Sequence, residues 1–355
     1  RLDDLLLQPD GKIVAVGKSS DDMVIIRLDS SGRYDSTFNG QGWNKISATH
    51  NLDAATCIAL QPDGKLVAAG YVFYTQQSLF CVVRVTADGK LDNSFNSIGL
   101  TSFEVGAHGR GFPSGIAIQA DGKIVLVGRT VVYYDSECAI VRLNSNGSFD
   151  KSFNGKGYLH HGMDNYAGYL SDVIIQADGK ILAVGTAWKG STTDLGLVRY
   201  TSNGTFDSTF NSTGFATLTI GKKSNLGTCF ALQPDRKIVI AGGTMNDSNV
   251  YGIVVARYFS GMSSAINQPF ISNTSIFPNP ASEWIHLNYT LTLPGPVSIQ
   301  IIDSHGRDVL NICENRYMES GQHTADIDLQ LLPQGIYTIR LKTQSTVQSF
   351  LIVHE

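Results

Sequence analysis

A thirteen-residue block recurs five times along the first three quarters of this 355-residue chain. Its copies read LLLQPDGKIVAVG at 5–17, IALQPDGKLVAAG at 58–70, IAIQADGKIVLVG at 116–128, VIIQADGKILAVG at 173–185 and ALQPDRKIVIAGG at 231–243. The Gln falls at 8, 61, 119, 176 and 233, in steps of 53, 58, 57 and 57. A second block follows the first four copies: VIIRLDSSGRYDSTFNG at 24–40, VVRVTADGKLDNSFNSIG at 82–99, IVRLNSNGSFDKSFNGKG at 140–157 and LVRYTSNGTFDSTFNSTG at 197–214. A fifth, VVARYFSG at 254–261, stops before the Asp-x-x-Phe-Asn part. So long and regular a period restricts the chain to a stack or ring of like units.

Each unit reads as four short strands. In the second copy they are expected near Cys57–Gln61, Lys65–Gly70, Phe80–Val85 and Gly99–Val105. Turns such as Pro62-Asp63-Gly64 and Ala87-Asp88-Gly89 supply the Gly that a tight hairpin needs at positive φ. Strands one to three are almost continuous apolar runs, so both of their faces must be buried. A lone four-stranded sheet cannot do that; sheets set side by side around an axis can. The prediction is an all-β fold, with a β-propeller of about five four-stranded blades over 1–261, the last one incomplete. A linker at 262–273 and a small Ig-like β-sandwich at 274–355 follow.

Composition narrows what such a disc does. With 27 basic against 31 acidic residues the net charge is −4, so phosphate neutralisation does not drive binding to nucleic acid. No apolar run reaches the roughly 18 residues of a transmembrane segment, and 42% hydrophobic residues exclude disorder. The five cysteines, Cys57, Cys81, Cys138, Cys229 and Cys313, include no CxxC pair, which argues against a zinc or redox site and against a disulfide framework. Cys57 and Cys229 share one repeat position and read as small buried hydrophobes. No cofactor and no metal are expected.

The paired signature, L-Q-x-D-G-K-I-x-x-x-G and then R-x-x-x-x-G-x-x-D-x-x-F-N, resembles the delta-sixty repeat, a β-propeller family of bacterial surface proteins. The resemblance covers roughly residues 5–261. Unit five departs from it, with Arg236 in place of the turn Gly and no Asp or Phe-Asn.

An Arg sits in the apolar third strand of every unit: Arg27, Arg84, Arg142, Arg199 and Arg257. Burying an unpaired guanidinium would be expensive. Asp35, Asp92, Asp150 and Asp207 each follow their Arg by eight residues, so four structural Arg–Asp pairs are predicted. They are expected to fix the turns that carry Phe38, Phe95, Phe153 and Phe210. Scaffold groups must repeat in every blade while catalytic groups seldom do, which disfavours a ring of catalytic or calcium-binding carboxylates. Arg257 has Ala265 at that spacing, so its acceptor is expected either elsewhere or in chain upstream of Arg1, where the first strand begins almost at once.

The tight repeated turns share one face of the disc. The variable connections share the other, and there lie Tyr71, Phe73, Tyr74, Tyr133, Tyr134, Trp188 and Tyr251, with His108, Arg110 and His160. Rings beside polar groups suit a sugar or a protein surface; alternatively, they fold back over the blade edges. His160 and His161 are strand neighbours that point to opposite faces, which disfavours a metal pair.

From Ile276 the pattern is new. Phe277-Pro278-Asn279-Pro280, then Asp303 with Gly306-Arg307 and Val309, then Leu332-Pro333 with Gly335, Ile336, Tyr337 and Leu341 resemble the type A C-terminal sorting domain of the type IX secretion system of Bacteroidota. The ending Val353-His354-Glu355 departs from the basic residues common in that family. The resemblance implies export across both membranes, with the type IX translocon and an outer-membrane shuttle barrel as partners. It also implies an extracellular or surface location on a Gram-negative cell, in association with the outer membrane. A surface sortase usually removes such a tail, so a chain that carries it is expected to be in a state before cleavage. Asp35-Ser36-Thr37 and Asp207-Ser208-Thr209 resemble Bacteroidota O-glycosylation sites, at Ser36 and Ser208.

The leading functional reading is a non-catalytic surface propeller that binds glycan or protein. One alternative is a polysaccharide-active propeller enzyme, which needs two carboxylates about 5–10 Å apart near the central opening. The off-repeat acids Asp164, Asp194 and Glu104 form no recognisable pair, and G-x-S-x-G, H-E-x-x-H and phosphate-loop motifs are absent. A second alternative is an accessory subunit of an outer-membrane complex.

Overall fold

The structure, a computed structural model, describes residues 1–49, 51–74, 77–106, 110–132, 135–164, 166–219, 224–233, 237–245, 251–259, 271–291, 294–343 and 347–355. Among them the secondary structure is strand and turn throughout, in two compact units, Arg1–Ser263 and Ser264–Glu355.

The first unit is a five-bladed β-propeller array. Blade 1 holds β1 (Leu2–Leu7), β2 (Ile13–Ser19), β3 (Asp22–Leu28) and β4 (Trp43–Ile46). Blade 2 holds β5 (Asp53–Leu60), β6 (Leu66–Tyr74), β7 (Gln77–Val85) and β8 (Leu100–Phe103). Blade 3 holds β9 (Arg110–Ile118), β10 (Ile124–Val132), β11 (Asp135–Leu143) and β12 (Tyr158–His161). Blade 4 holds β13 (Ala167–Ile175), β14 (Ile181–Lys189), β15 (Thr192–Tyr200) and β16 (Phe215–Leu218). Blade 5 shows three strands, β17 (Asn225–Leu232), β18 (Lys237–Met245) and β19 (Tyr251–Phe259). Neighbouring strands within a blade pair antiparallel.

Strand one differs from its expected span for a local reason. The ladder slips between Ala55 and Cys57, between Leu170 and Asp172, and between Gly227 and Cys229, an inserted residue that bends the strand without ending it. Beyond the slip β5 runs on to Asp53, four residues before the expected start. Strand four is only Leu100–Phe103, because Gly99 is spent in the turn at φ +83°.

Apolar side chains of consecutive blades interlock. Met23 and Ile25 of blade 1 pack with Ile58 and Leu66 of blade 2. Phe80 and Val82 pack with Ile124 and Leu126, Cys138 and Ile140 with Val173 and Ile181, and Leu195 and Leu197 with Phe230 and Ile238. Both faces of the inner blades are thereby covered.

The second unit is a small sandwich. One sheet joins β20 (Ile271–Phe277), β21 (Trp284–Leu291) and β24 (Gly321–Asp328). The other runs β23 (Asp308–Met318), β22 (Gly295–Ile302), β25 (Gly335–Thr343) and β26 (Val347–His354). Alternate residues point inward, so Ile285, Leu287 and Tyr289 meet Ile299, Ile301, Ile339 and Leu341 in a core of its own.

Candidate functional site

The repeated charges sit at the blade junctions. Nε of Arg27, Arg84, Arg142 and Arg199 donates to Asp35, Asp92, Asp150 and Asp207 at 2.8, 2.8, 2.8 and 2.7 Å. The same carboxylates accept from Thr37, Ser94, Ser152 and Thr209. Lys12, Lys65, Lys123 and Lys180 lie 3.0–3.3 Å away. Each guanidinium covers its own Phe, 4.6–4.9 Å from the ring centre of Phe38, Phe95, Phe153 or Phe210. Burial opposes ionisation, yet hydrogen bonds from the hydroxyl residue and the Arg charge hold Asp92, Asp150 and Asp207 down at about 2, with the same direction at Asp35. These acids stay ionised and fully engaged. Ser36 and Ser208 are exposed beside them.

On the variable face the rings divide. Tyr71 and Phe73 pack edge-on with each other and with Phe112 of the next blade, at 5.3–6.4 Å between centres, and Arg129 lies over Phe112 at 4.8 Å. Trp188 meets Tyr169 at 5.9 Å. His160 is held by Glu137 at 2.5 Å. Tyr74 and Arg110 are exposed. Tyr74 borders a cleft of about 450 Å³ with Ser47, Ala48, Thr49 and Asn51. His108, Tyr133, Tyr134 and the side chain of Tyr251 lie outside the described residues. Asp194 is buried against Lys189 and Thr219.

The strand-one slip brings together residues that sequence spacing did not single out. Four residues before each repeat Gln stand Asp4, Cys57, Gly115, Asp172 and Cys229, on the innermost strands. Asp4 accepts the backbone N–H of Ile58 in blade 2 at 2.9 Å, and Asp172 that of Phe230 in blade 5 at 3.4 Å. One residue earlier, the hydroxyls of Thr56, Ser114 and Ser171 donate to the carbonyls of Pro113, Leu170 and Gly227 in the following blade. Burial raises both carboxyls above the ordinary range, and the Asp4 charge adds to the rise at Asp172. Burial, with the charges of Asp4 and Asp172, also raises the Cys57 thiol. The common signal was positional: two of five equivalent residues are Asp. Cys57 is buried as expected of a small hydrophobe, but Cys229 is exposed, because no described blade follows blade 5 to cover it. Among the described residues no group of three or more His, Cys, Asp or Glu is placed to hold a metal ion.

The tail motifs are structural within their sandwich. Asn279 donates to the Leu351 carbonyl and accepts from the Val353 N–H, both at 2.9 Å, so the loop around Pro278 and Pro280 is clipped to β26. Phe277 is half exposed beside His286. Asp303 accepts the N–H of Arg307 and of His305 and the Arg307 side chain, around Gly306 at φ +81°; these bonds hold its carboxyl at about 2. Gly335 opens β25, and Tyr337 donates to Pro333 at 2.7 Å.

Comparison with known proteins agrees on both parts. The model of a domain of unknown function (DUF5122) β-propeller matches residues 8–38, 61–95, 119–153, 176–210 and 233–261. That of a secretion system C-terminal sorting domain matches 275–354. No curated protein matches the chain. Among solved structures it resembles polysaccharide lyase Uly1, with 9% identity over 99% of this chain and 89% of that one and a TM-score of 0.41. It also resembles a mannose phosphorylase from Leishmania mexicana, with 10% identity over 72% and 82% and a TM-score of 0.38.

Proposed function

The chain belongs to the DUF5122 β-propeller repeat family and ends in a secretion-system sorting domain, and from that premise we propose that it is a type IX secretion cargo whose propeller binds carbohydrate without cleaving it. The sorting domain over 275–354 carries the export half of this reading. It would engage the translocon and an outer-membrane shuttle barrel, and deliver the propeller to the cell surface or beyond. The binding half is supported by the state of the repeat acids, which are held ionised by Arg, Lys and hydroxyl partners and so are spent on the scaffold. A sugar ring would lie on exposed Tyr74, over the cleft lined by Thr49 and Asn51.

A second reading rests on one observation: Asp4 and Asp172 are both raised in pKa on the innermost strands, the condition for a general acid. Two experiments test these readings, the first the export half and the second binding against catalysis. Full chain expressed behind a signal peptide in a type IX-competent cell should become accessible to added protease, while the same fusion ending at Ser263 stays in the periplasm. Purified protein is expected to be retained on a polysaccharide column, with Tyr74→Ala eluting early and the polysaccharide unshortened. Chain shortening that Asp172→Asn abolishes would replace binding by catalysis, and surface delivery without the tail would overturn the export reading.

A further inference from the structure

The strand-three arginines Arg27, Arg84, Arg142 and Arg199 each hold an Asp. Arg129, on β10, holds none. Among the described residues its charge meets no carboxylate, only the face of Phe112, 4.8 Å from the ring centre. The ladder explains why. Directly opposite Arg129 stand Phe112 on β9 and Cys138 on β11. The acids of the same hairpin are engaged or out of line: Glu137 is taken by His160 at 2.5 Å, and Asp135 pairs with Val132 at the far end. Arg129 is half-buried, so its guanidinium has given up part of its water without gaining a counter-charge.

The ring beneath it belongs to a fixed cluster. Phe112 packs against Tyr71 and Phe73 with planes 69° and 63° apart, and those two rings meet each other at 87°. Their mutual packing sets the orientation of each ring before any ligand arrives, yet all three stay half-buried rather than sealed. Neither the charge nor the ring recurs. Arg129 stands one residue after the strand-two Gly, where the other units carry Lys18, Tyr71, Thr186 and Gly243. Phe112 stands seven residues before the repeat Gln, where they carry Arg1, Ala54, Tyr169 and Leu226. A scaffold contact would be repeated, as the Arg–Asp pairs are. This one is confined to the junction of blades 2 and 3.

We infer that this junction holds an acidic sugar: a pyranose bearing a carboxylate or a sulfate ester, with its oxyanion on the Arg129 guanidinium and its C–H face against the cluster of Tyr71, Phe73 and Phe112. The planar guanidinium presents paired N–H groups to an oxyanion, and the rings supply apolar area at little cost in entropy. Exposed Arg110, two residues from Phe112 on the same face of β9, adds a second positive charge at the rim. The chain as a whole is at −4, so retention of an anion calls for a local cation rather than for general attraction. The inference rests on the carbohydrate reading above but names a different place. The Tyr74 cleft is lined by chain between blades 1 and 2, this site by blades 2 and 3.

Titration of the full chain with galactotriose, trigalacturonate and a sulfated galactotriose, at about 0.15 M salt, checks this. The tighter of the two acidic trimers is expected to bind roughly tenfold better than the neutral one, and which of them it is tells a carboxylate from a sulfate ester. Arg129→Gln should remove the preference, and Tyr74→Ala should leave it. A measurement on the unaltered chain needs no variant to fold: the acidic trimer should shield Arg129 from phenylglyoxal, read by mass spectrometry. The inference fails if the neutral trimer binds as well as both acidic ones, if Arg129→Gln keeps the preference, or if Arg129 is labelled as fast with the trimer as without it. A tetraglutamate peptide that binds as tightly as the sugar would also overturn it, since charge alone would then suffice. Binding of no trimer at all would sink the carbohydrate reading along with this inference, whereas equal binding of all three sinks this inference alone.

Discussion

At the scale of single residues, the histidine pair shows how packing overrides composition. His161 donates from Nδ1 to the Gly162 carbonyl and accepts at Nε2 from the Tyr200 hydroxyl at 2.6 Å. Phe206 and Phe215 stand against the ring, 4.9 and 5.6 Å between centres. Both nitrogens are thus committed in the neutral form, and a second proton on Nε2 would turn the Tyr200 O–H away. Burial accordingly lowers the His161 pKa to about 4. The unfolded chain takes up this proton near 6.5 and the folded chain only near 4, so stability is fully present above 6.5 and declines as pH falls from 6.5 to 4. The loss over that window is about 3 kcal/mol. Urea unfolding at pH 7.5 and 4.5 checks this: His161→Gln should be the less stable form at 7.5 and lose less on acidification than the unaltered chain. Equal losses in the two proteins would show that His161 titrates normally.

At the scale of elements, every unit bends its first strand against a glycine in its second. A Cβ on Gly70 would lie 1.8 Å from the Ala54 carbonyl oxygen, and on Gly185 1.9 Å from that of Tyr169. The obstacle is backbone on both sides, so neither strand can yield without opening the ladder. Gly70→Ala is expected to cost about 3 kcal/mol and to lower Tm by roughly 6–12 °C. Gly243→Ala is the control, since its Cβ would meet only the Leu226 Cδ1 at 3.9 Å; comparable losses by calorimetry in both would refute the close-approach explanation. Much of this architecture was legible beforehand. The Gln-x-Asp-Gly-Lys turns, the apolar runs and the Arg-to-Asp spacing of eight all follow from local pattern, because turns and hairpins are local. The axial residues were not. Asp4 and Asp172 sit in apolar runs beside an inserted residue, and periodicity does not say which side chain an inserted residue turns inward. Spacing leaves open whether Tyr71 and Phe73 stand free or fold back over the blade edge, because their partner, Phe112, comes from the next blade, about 40 residues on.

At the scale of the whole molecule, the propeller behaves as a row of like units in which each blade is stabilised by its neighbours. Among the described residues, blades 2 and 3 are covered on both sides, and blade 5 on one. Ile253 and Val255 of β19 are 87% and 67% exposed, while Leu195 and Leu197, at the same register in blade 4, are fully buried against Phe230 and Ile238. The within-blade ladder does not differ in the same way. β18 pairs with β19 from Lys237–Phe259 to Met245–Tyr251, and β10 with β11 over an equal length, from Ile124–Leu143 to Val132–Asp135. Differences in amide exchange between the two ladders therefore report coverage rather than hydrogen-bond number, provided that amides facing β18 and β10 are compared. Those of β11 should open only with the propeller as a whole, and those of β19 through a smaller, local opening, exchanging at least 100-fold faster. Blade 4 should fall between them, since opening blade 5 uncovers Leu195 and Leu197. Exchange of β19 as slow as that of β11 would mean that cover by an adjoining blade contributes nothing, and that each sheet is stable on its own ladder rather than on the blade beside it.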